Sequence, residues 1–126
     1  MSNSVLTRRK VLVVDDEAPM RELLKKYFGS RGLEAVFAST GEEAIEIVSK
    51  RRIDIVLLDI MMPEGSGLDI LRALKNISPA LKVIMMSAVN KEEVFRLALQ
   101  LGAIDYILKP FDLVSLDARI FGKLLS

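Results

Sequence analysis

The sequence predicts an α/β fold: a doubly wound five-stranded parallel sheet with five helices, (βα)5. Three observations carry this. Five short apolar runs alternate with five stretches of helical periodicity, and parallel strands need crossovers, usually helices. The runs Val11-Leu12-Val13-Val14, Ile55-Val56-Leu57-Leu58 and Val83-Ile84-Met85-Met86 are continuous rather than alternating, which is the pattern of strands buried on both faces. Each of these runs then stops at a polar residue, Asp15, Asp59 or Ser87.

Residues 1–8 show no periodicity and are expected as a flexible leader, leaving 9–126 as one domain. The first strand, Val11–Val14, ends in Asp15-Asp16-Glu17. A helix over Ala18–Phe28 follows, with Met20, Leu23, Leu24 and Tyr27 on one apolar face. Pro19 suits its first turn, and Gly29 and Gly32 end it. Leu33–Ala38 is the second strand. Thr40 caps the next helix, with Glu43 at the capping-box position and Ala44, Ile45 and Val48 inward. Residues 53–58 form the third strand, leading to Asp59 and then to a loop with Pro63, Gly65 and Gly67. Leu68–Ile77 is a helix with Ile70, Leu71 and Leu74 inward, broken by Ser78-Pro79. Val83–Met86 is the fourth strand. Asn90 is the expected cap of a fourth helix, which buries Val94, Leu97, Ala98 and Leu101 and closes at Gly102. Ile104–Leu108 is the fifth strand, followed by Lys109-Pro110-Phe111. The last helix spans about Asp112 to Leu125, with Leu113, Leu116, Ile120 and Leu124 inward; Gly122 costs it about 1 kcal/mol against alanine.

At 126 residues the chain holds one domain with a real core. A 51% hydrophobic and 28% charged composition is globular rather than disordered. A net charge of +1 makes no electrostatic case for direct nucleic-acid binding. The absence of cysteine and histidine excludes disulfides, thiolate metal sites and histidine catalysis. No apolar run is long enough for a bilayer, and Arg8, Arg9 and Lys10 interrupt any signal-peptide core. No membrane partner and a cytoplasmic location are therefore expected.

Ligands of open parallel sheets bind at the carboxyl ends of the strands. There the chain places Asp15 and Asp16, Asp59, Ser87 and Lys109. Converging carboxylates repel, and a divalent cation removes the conflict. Magnesium takes hard oxygens and keeps several waters. Asp16 and Asp59 suit direct ligation, Asp15 support or a water-mediated contact, and the backbone carbonyl of Met61 a further ligand. Lys109 and Ser87 offer an ammonium and a hydroxyl to phosphate oxygens. That is a recipe for phosphoryl transfer with Asp59 as nucleophile.

The chain resembles the receiver domain of bacterial two-component response regulators. The resemblance rests on Val13-Val14-Asp15-Asp16-Glu17, on Asp59-Ile60-Met61-Met62-Pro63 with Gly67 after it, on Ser87-Ala88, and on Gly102-Ala103 running to Asp105-Tyr106 and Lys109-Pro110-Phe111. It covers residues 9–125. It implies a flavodoxin-like, CheY-like fold with strand order 2-1-3-4-5. It implies that Asp59 is the phosphoacceptor, supplied by a sensor histidine kinase or phosphotransfer protein. Asp15, Asp16, Asp59 and the Met61 carbonyl would hold Mg2+ or Mn2+. Ser87, Ala88 and Lys109 would bind the phosphoryl group, and Ser87 with Tyr106 would form the switch controlling an output domain or effector protein. The Lys109–Pro110 bond would be cis, where sequence alone favours trans.

Two residues tune this picture. Met61 and Val89 lie two positions past Asp59 and Ser87, and neither side chain can orient an attacking water, so slow hydrolysis of the phosphorylated form is expected. Phe95 and Leu99 in the fourth helix, and Val114 and Phe121 in the fifth, belong either to broad buried faces or to an exposed surface for a homodimer or an output partner. The competing readings are an aspartyl-phosphate phosphatase, whose motif wants Asp-x-Asp where this chain has adjacent aspartates, and a phosphorylation-independent interaction module.

Overall fold

The computed structural model describes residues 9–15, 18–62, 65–88 and 90–124. The expected leader 1–8, Asp16, Pro63 and Val89, and the side chains of Pro19, Met20, Met61 and Leu124, lie outside what is described.

Five strands form one parallel sheet: β1 (Lys10–Val14), β2 (Glu34–Ala38), β3 (Ile55–Asp59), β4 (Lys82–Ser87) and β5 (Asp105–Leu108). Their order is β2-β1-β3-β4-β5, as expected. The helices are α1 (Ala18–Ser30), α2 (Gly41–Lys50), α3 (Gly67–Ile77), α4 (Glu92–Gln100) and α5 (Leu113–Leu124). Side chains alternate across each strand, so the continuous runs feed two cores at once. Val11, Val13, Ile55, Leu57, Ile84 and Met86 pack with Leu24 and Phe28 of α1 and with Leu116 and Ile120 of α5. Leu12, Val14, Val56, Leu58, Val83 and Met85 pack with Ala44, Leu71, Leu74 and Ala98 of α2, α3 and α4. At about 1.5–3 kcal/mol per buried large aliphatic side chain, these two clusters dominate the stabilisation.

Local signals place the helix ends. The Glu43 amide donates to Thr40 Oγ1 at 3.1 Å, and Glu43 Oε1 accepts from the Ser39 amide at 2.8 Å. The return bond thus reaches one residue further back than an ideal capping box. Asp112 caps α5, its Oδ1 accepting the Ser115 amide at 2.7 Å. That backbone bond, with help from the Ser115 hydroxyl, lowers the Asp112 carboxyl below its usual value. Gly32 (φ 80°) and Gly102 (φ 110°) take left-handed conformations just past α1 and α4. In both places the next amide reaches back into the helix, Leu33 to the Phe28 carbonyl and Ala103 to the Ala98 carbonyl.

Four expectations are corrected. Leu23 is about half exposed, because the inward face of α1 centres on Leu24 and Phe28, one turn apart, and leaves Leu23 on its shoulder. Leu97 is exposed for the same reason, as Ala98 carries the inward face of α4. Asn90 is not the cap of α4. The cap is Lys91, which makes no side-chain capping bond. The loop after Asp59 is not wholly irregular, since Met61–Met62 pairs antiparallel with Gly65–Ser66 in a short hairpin. The Lys109–Pro110 bond is cis, as the family resemblance implied. Among the described residues no helix is long and apolar enough to cross a membrane.

Candidate functional site

Asp15, Asp59 and Ser87 are the polar side chains fully or nearly fully buried among the described residues, and all three lie at one edge. Strand register brings them there. Val14 pairs with Leu58, so Asp15 follows β1 beside Asp59 at the end of β3. Asp59 pairs with Met86, so Ser87 stands one step beyond it on β4. Ser87 pairs with Leu108, and Lys109 follows. The crevice between β1 and β3 is the point where the sheet order reverses, the usual ligand position in such sheets.

Lys109 closes the group. Its Nζ donates to Asp15 Oδ2 at 2.8 Å and to Asp59 Oδ2 at 3.0 Å, across 94 and 50 residues of sequence. Its amide donates to the Ser87 carbonyl at 2.8 Å, which ties the lysine to β4 while its side chain crosses the carboxyl edge. The lysine side chain is 13% exposed, and those of Asp15 and Asp59 are 0% and 7%. Buried charges are tolerated only when paired. Here two carboxylates and one ammonium leave a formal negative charge. Hard anionic oxygens gathered at one edge suit a hard divalent cation. Asp15 and Asp59 are the carboxylates described at this edge. Asp16 lies outside the described residues.

The backbone behind Asp59 is held closely. The Ile60 amide donates to the Met86 carbonyl at 2.9 Å and the Gly67 amide to the Ile60 carbonyl at 3.0 Å. A Cβ at Gly67 would come within 2.5 Å of Ile60 Cα and 2.8 Å of the Asp59 carbonyl oxygen. Only glycine lets α3 start this close to the end of β3. The motif marks Gly67, but its packing role shows only in the fold.

The remaining candidates are spread around this centre. Ala88 is exposed immediately after Ser87, and Met61 opens the short hairpin beyond Asp59. Tyr106 is half-buried on the α2–α4 face of the sheet. Its ring lies against Phe95 of α4, with centroids 3.8 Å apart and planes at 49°. That contact was missed. Its signal was an aromatic at the edge of the α4 stripe, but pairing it with Tyr106 needs the fold. Leu99 and Val114 are exposed, while Phe121 is half-buried against the α1–α5 core.

The response regulator receiver domain family matches residues 11–121. Sporulation initiation phosphotransferase F of Bacillus subtilis is 36% identical over 108 residues, covering 86% of this chain and 87% of the relative. The probable transcriptional regulator ycf27 of Guillardia theta is 40% identical over 114 residues, covering 90% of this chain; the match spans 44% of that longer protein. A CheY-like response regulator receiver domain protein from Methanospirillum hungatei superimposes with a TM-score of 0.90 at 27% identity, covering 94% of each chain. The chain belongs to the response regulator receiver domain family. It is a receiver of two-component signalling, a phosphorylation-activated switch module.

Proposed function

We propose that Asp59 is the phosphoacceptor of this receiver and that a sensor histidine kinase or phosphotransfer protein is its donor. One Asp59 carboxylate oxygen attacks the phosphorus of a phosphohistidine. The P–O bond forms as the P–N bond breaks, and the imidazole leaves with the electron pair and takes up a proton. Lys109 balances the charge of one phosphoryl oxygen, while the Ser87 hydroxyl and the Ala88 amide donate to others. Asp15, Asp16, Asp59 and the Met61 carbonyl would hold Mg2+ or Mn2+. When bound, the cation supplies further charge neutralisation at the phosphoryl oxygens. Met61 and Val89, two positions past Asp59 and Ser87 in sequence, carry no side chain able to orient water, so the aspartyl phosphate is long-lived. Ser87 and Tyr106 form the switch, and the α4–β5–α5 surface reports it to an output domain or effector.

The observation that carries this reading is the part-buried Lys109 ammonium bridging two buried carboxylates at the carboxyl edge. Intact-mass measurement after incubation with a small acyl-phosphate donor and magnesium tests it. The parent should gain one phosphoryl group and Asp59→Ala none. An equal gain by Asp59→Ala would sink the assignment.

A further inference from the structure

We infer that Phe95 is a positioning residue that makes the placement of α4 depend on the Tyr106 side chain. This rests on the switch role proposed above for Tyr106. Four features of α4 lead to it. The helix is nine residues long, and its cap Lys91 makes no side-chain capping bond. Ala98 is its one fully buried side chain, and Val94 packs part-buried against the same core, so the apolar anchor of α4 is small. Leu97 and Leu99 face solvent. Phe95, in the second turn, is half-buried and belongs to neither buried apolar cluster among the described residues. Its ring contact is with Tyr106.

The consequence is geometric. Tyr106 belongs to the cluster on the α2–α4 face and pairs with Met85 of β4, two residues before Ser87. A rotation of the tyrosine ring removes the surface on which Phe95 rests. Aromatic pairs add directional attraction to their burial, so α4 must shift or lose the contact. A weakly anchored helix shifts at small cost, and the two arrangements form a two-position element next to the phosphorylation site. Phe95 touches no reacting atom; it transmits through Tyr106.

Amide NMR of the full chain, with and without beryllium fluoride and magnesium, tests this. In the parent, resonances near Asp59, Ser87 and Lys109 should move, and those of Glu92–Gln100 should move with them. Phe95→Leu keeps an apolar side chain but loses the ring. It should keep the response near Asp59 and lose at least half of the response in α4. Phe95→Tyr should restore it. Tyr106→Ala should depress the α4 response as Phe95→Leu does, and combining the two should depress it no further. A parent-sized α4 response in Phe95→Leu, or a failure of Phe95→Tyr to restore it, overturns the role of Phe95 while leaving the phosphoacceptor site intact. No response near Asp59 in the parent would instead overturn the site reading, and this inference with it.

Discussion

Helices α5 and α4 flank the same edge strand, β5, but are held to the domain by different means. α5 buries Leu116 and Ile120, and Asp117 ties it to α1. The Asp117 carboxylate accepts from the Tyr27 hydroxyl and from Arg31 Nε, the latter at 3.0 Å. The Arg31 guanidinium lies 4.6 Å from the Phe121 ring centroid, and Lys82 Nζ donates to the Lys123 carbonyl at 2.6 Å near the end of the helix. α4 has one fully buried alanine, a part-buried valine, an aromatic contact and two exposed leucines. Directional polar ties fix a helix in one place, whereas a small apolar anchor leaves its position open to its neighbours. The α1–α5 face is thus the more heavily tied frame, and α4 is held by fewer ties among the described residues.

Three substitutions probe this contrast, the strongest first. Phe28→Ala empties a fully buried position between α1 and the sheet. It should cost about 3–5 kcal/mol by urea unfolding, and a loss below about 1 kcal/mol would mean that the α1 face is not the frame. Asp117→Ala removes the acceptor shared by Tyr27 and Arg31. These groups are part-exposed, so about 1–2 kcal/mol is expected, with faster hydrogen exchange in α5 than in α3. Unchanged exchange in α5 would show that the ties are incidental. Leu99→Ser alters an exposed α4 position and should shift stability by less than about 0.5 kcal/mol. A larger loss would show that α4 is anchored more firmly than its burial suggests.

Much of the site was legible before the fold was known, for a local reason. A polar residue directly after a continuous apolar run stands at the end of a buried strand, and Asp15, Asp59 and Ser87 each do so. Lys109 was legible by its position after the fifth run. Helix faces were read less well. Leu23 and Leu97 fit the apolar periodicity yet are exposed, because periodicity marks a broad arc and only packing selects its centre. The Met61–Met62 hairpin escaped notice because two-residue strands leave no periodic trace.

Residue order alone sets the alternation of strands and helices, the double-faced burial of β1, β3 and β4, and the polar residues that end them. These follow from hydrophobic periodicity and from where it stops, both properties of neighbours along the chain. Tertiary structure decided which polar ends meet. The Lys109 ammonium reaches Asp15 across 94 residues because β1 and β3 lie side by side and Lys109 follows β5 at the same edge. It also decided that Tyr106 rests on Phe95. Such contacts depend on strand register and helix rotation, which the packing of the whole domain sets and no local pattern encodes.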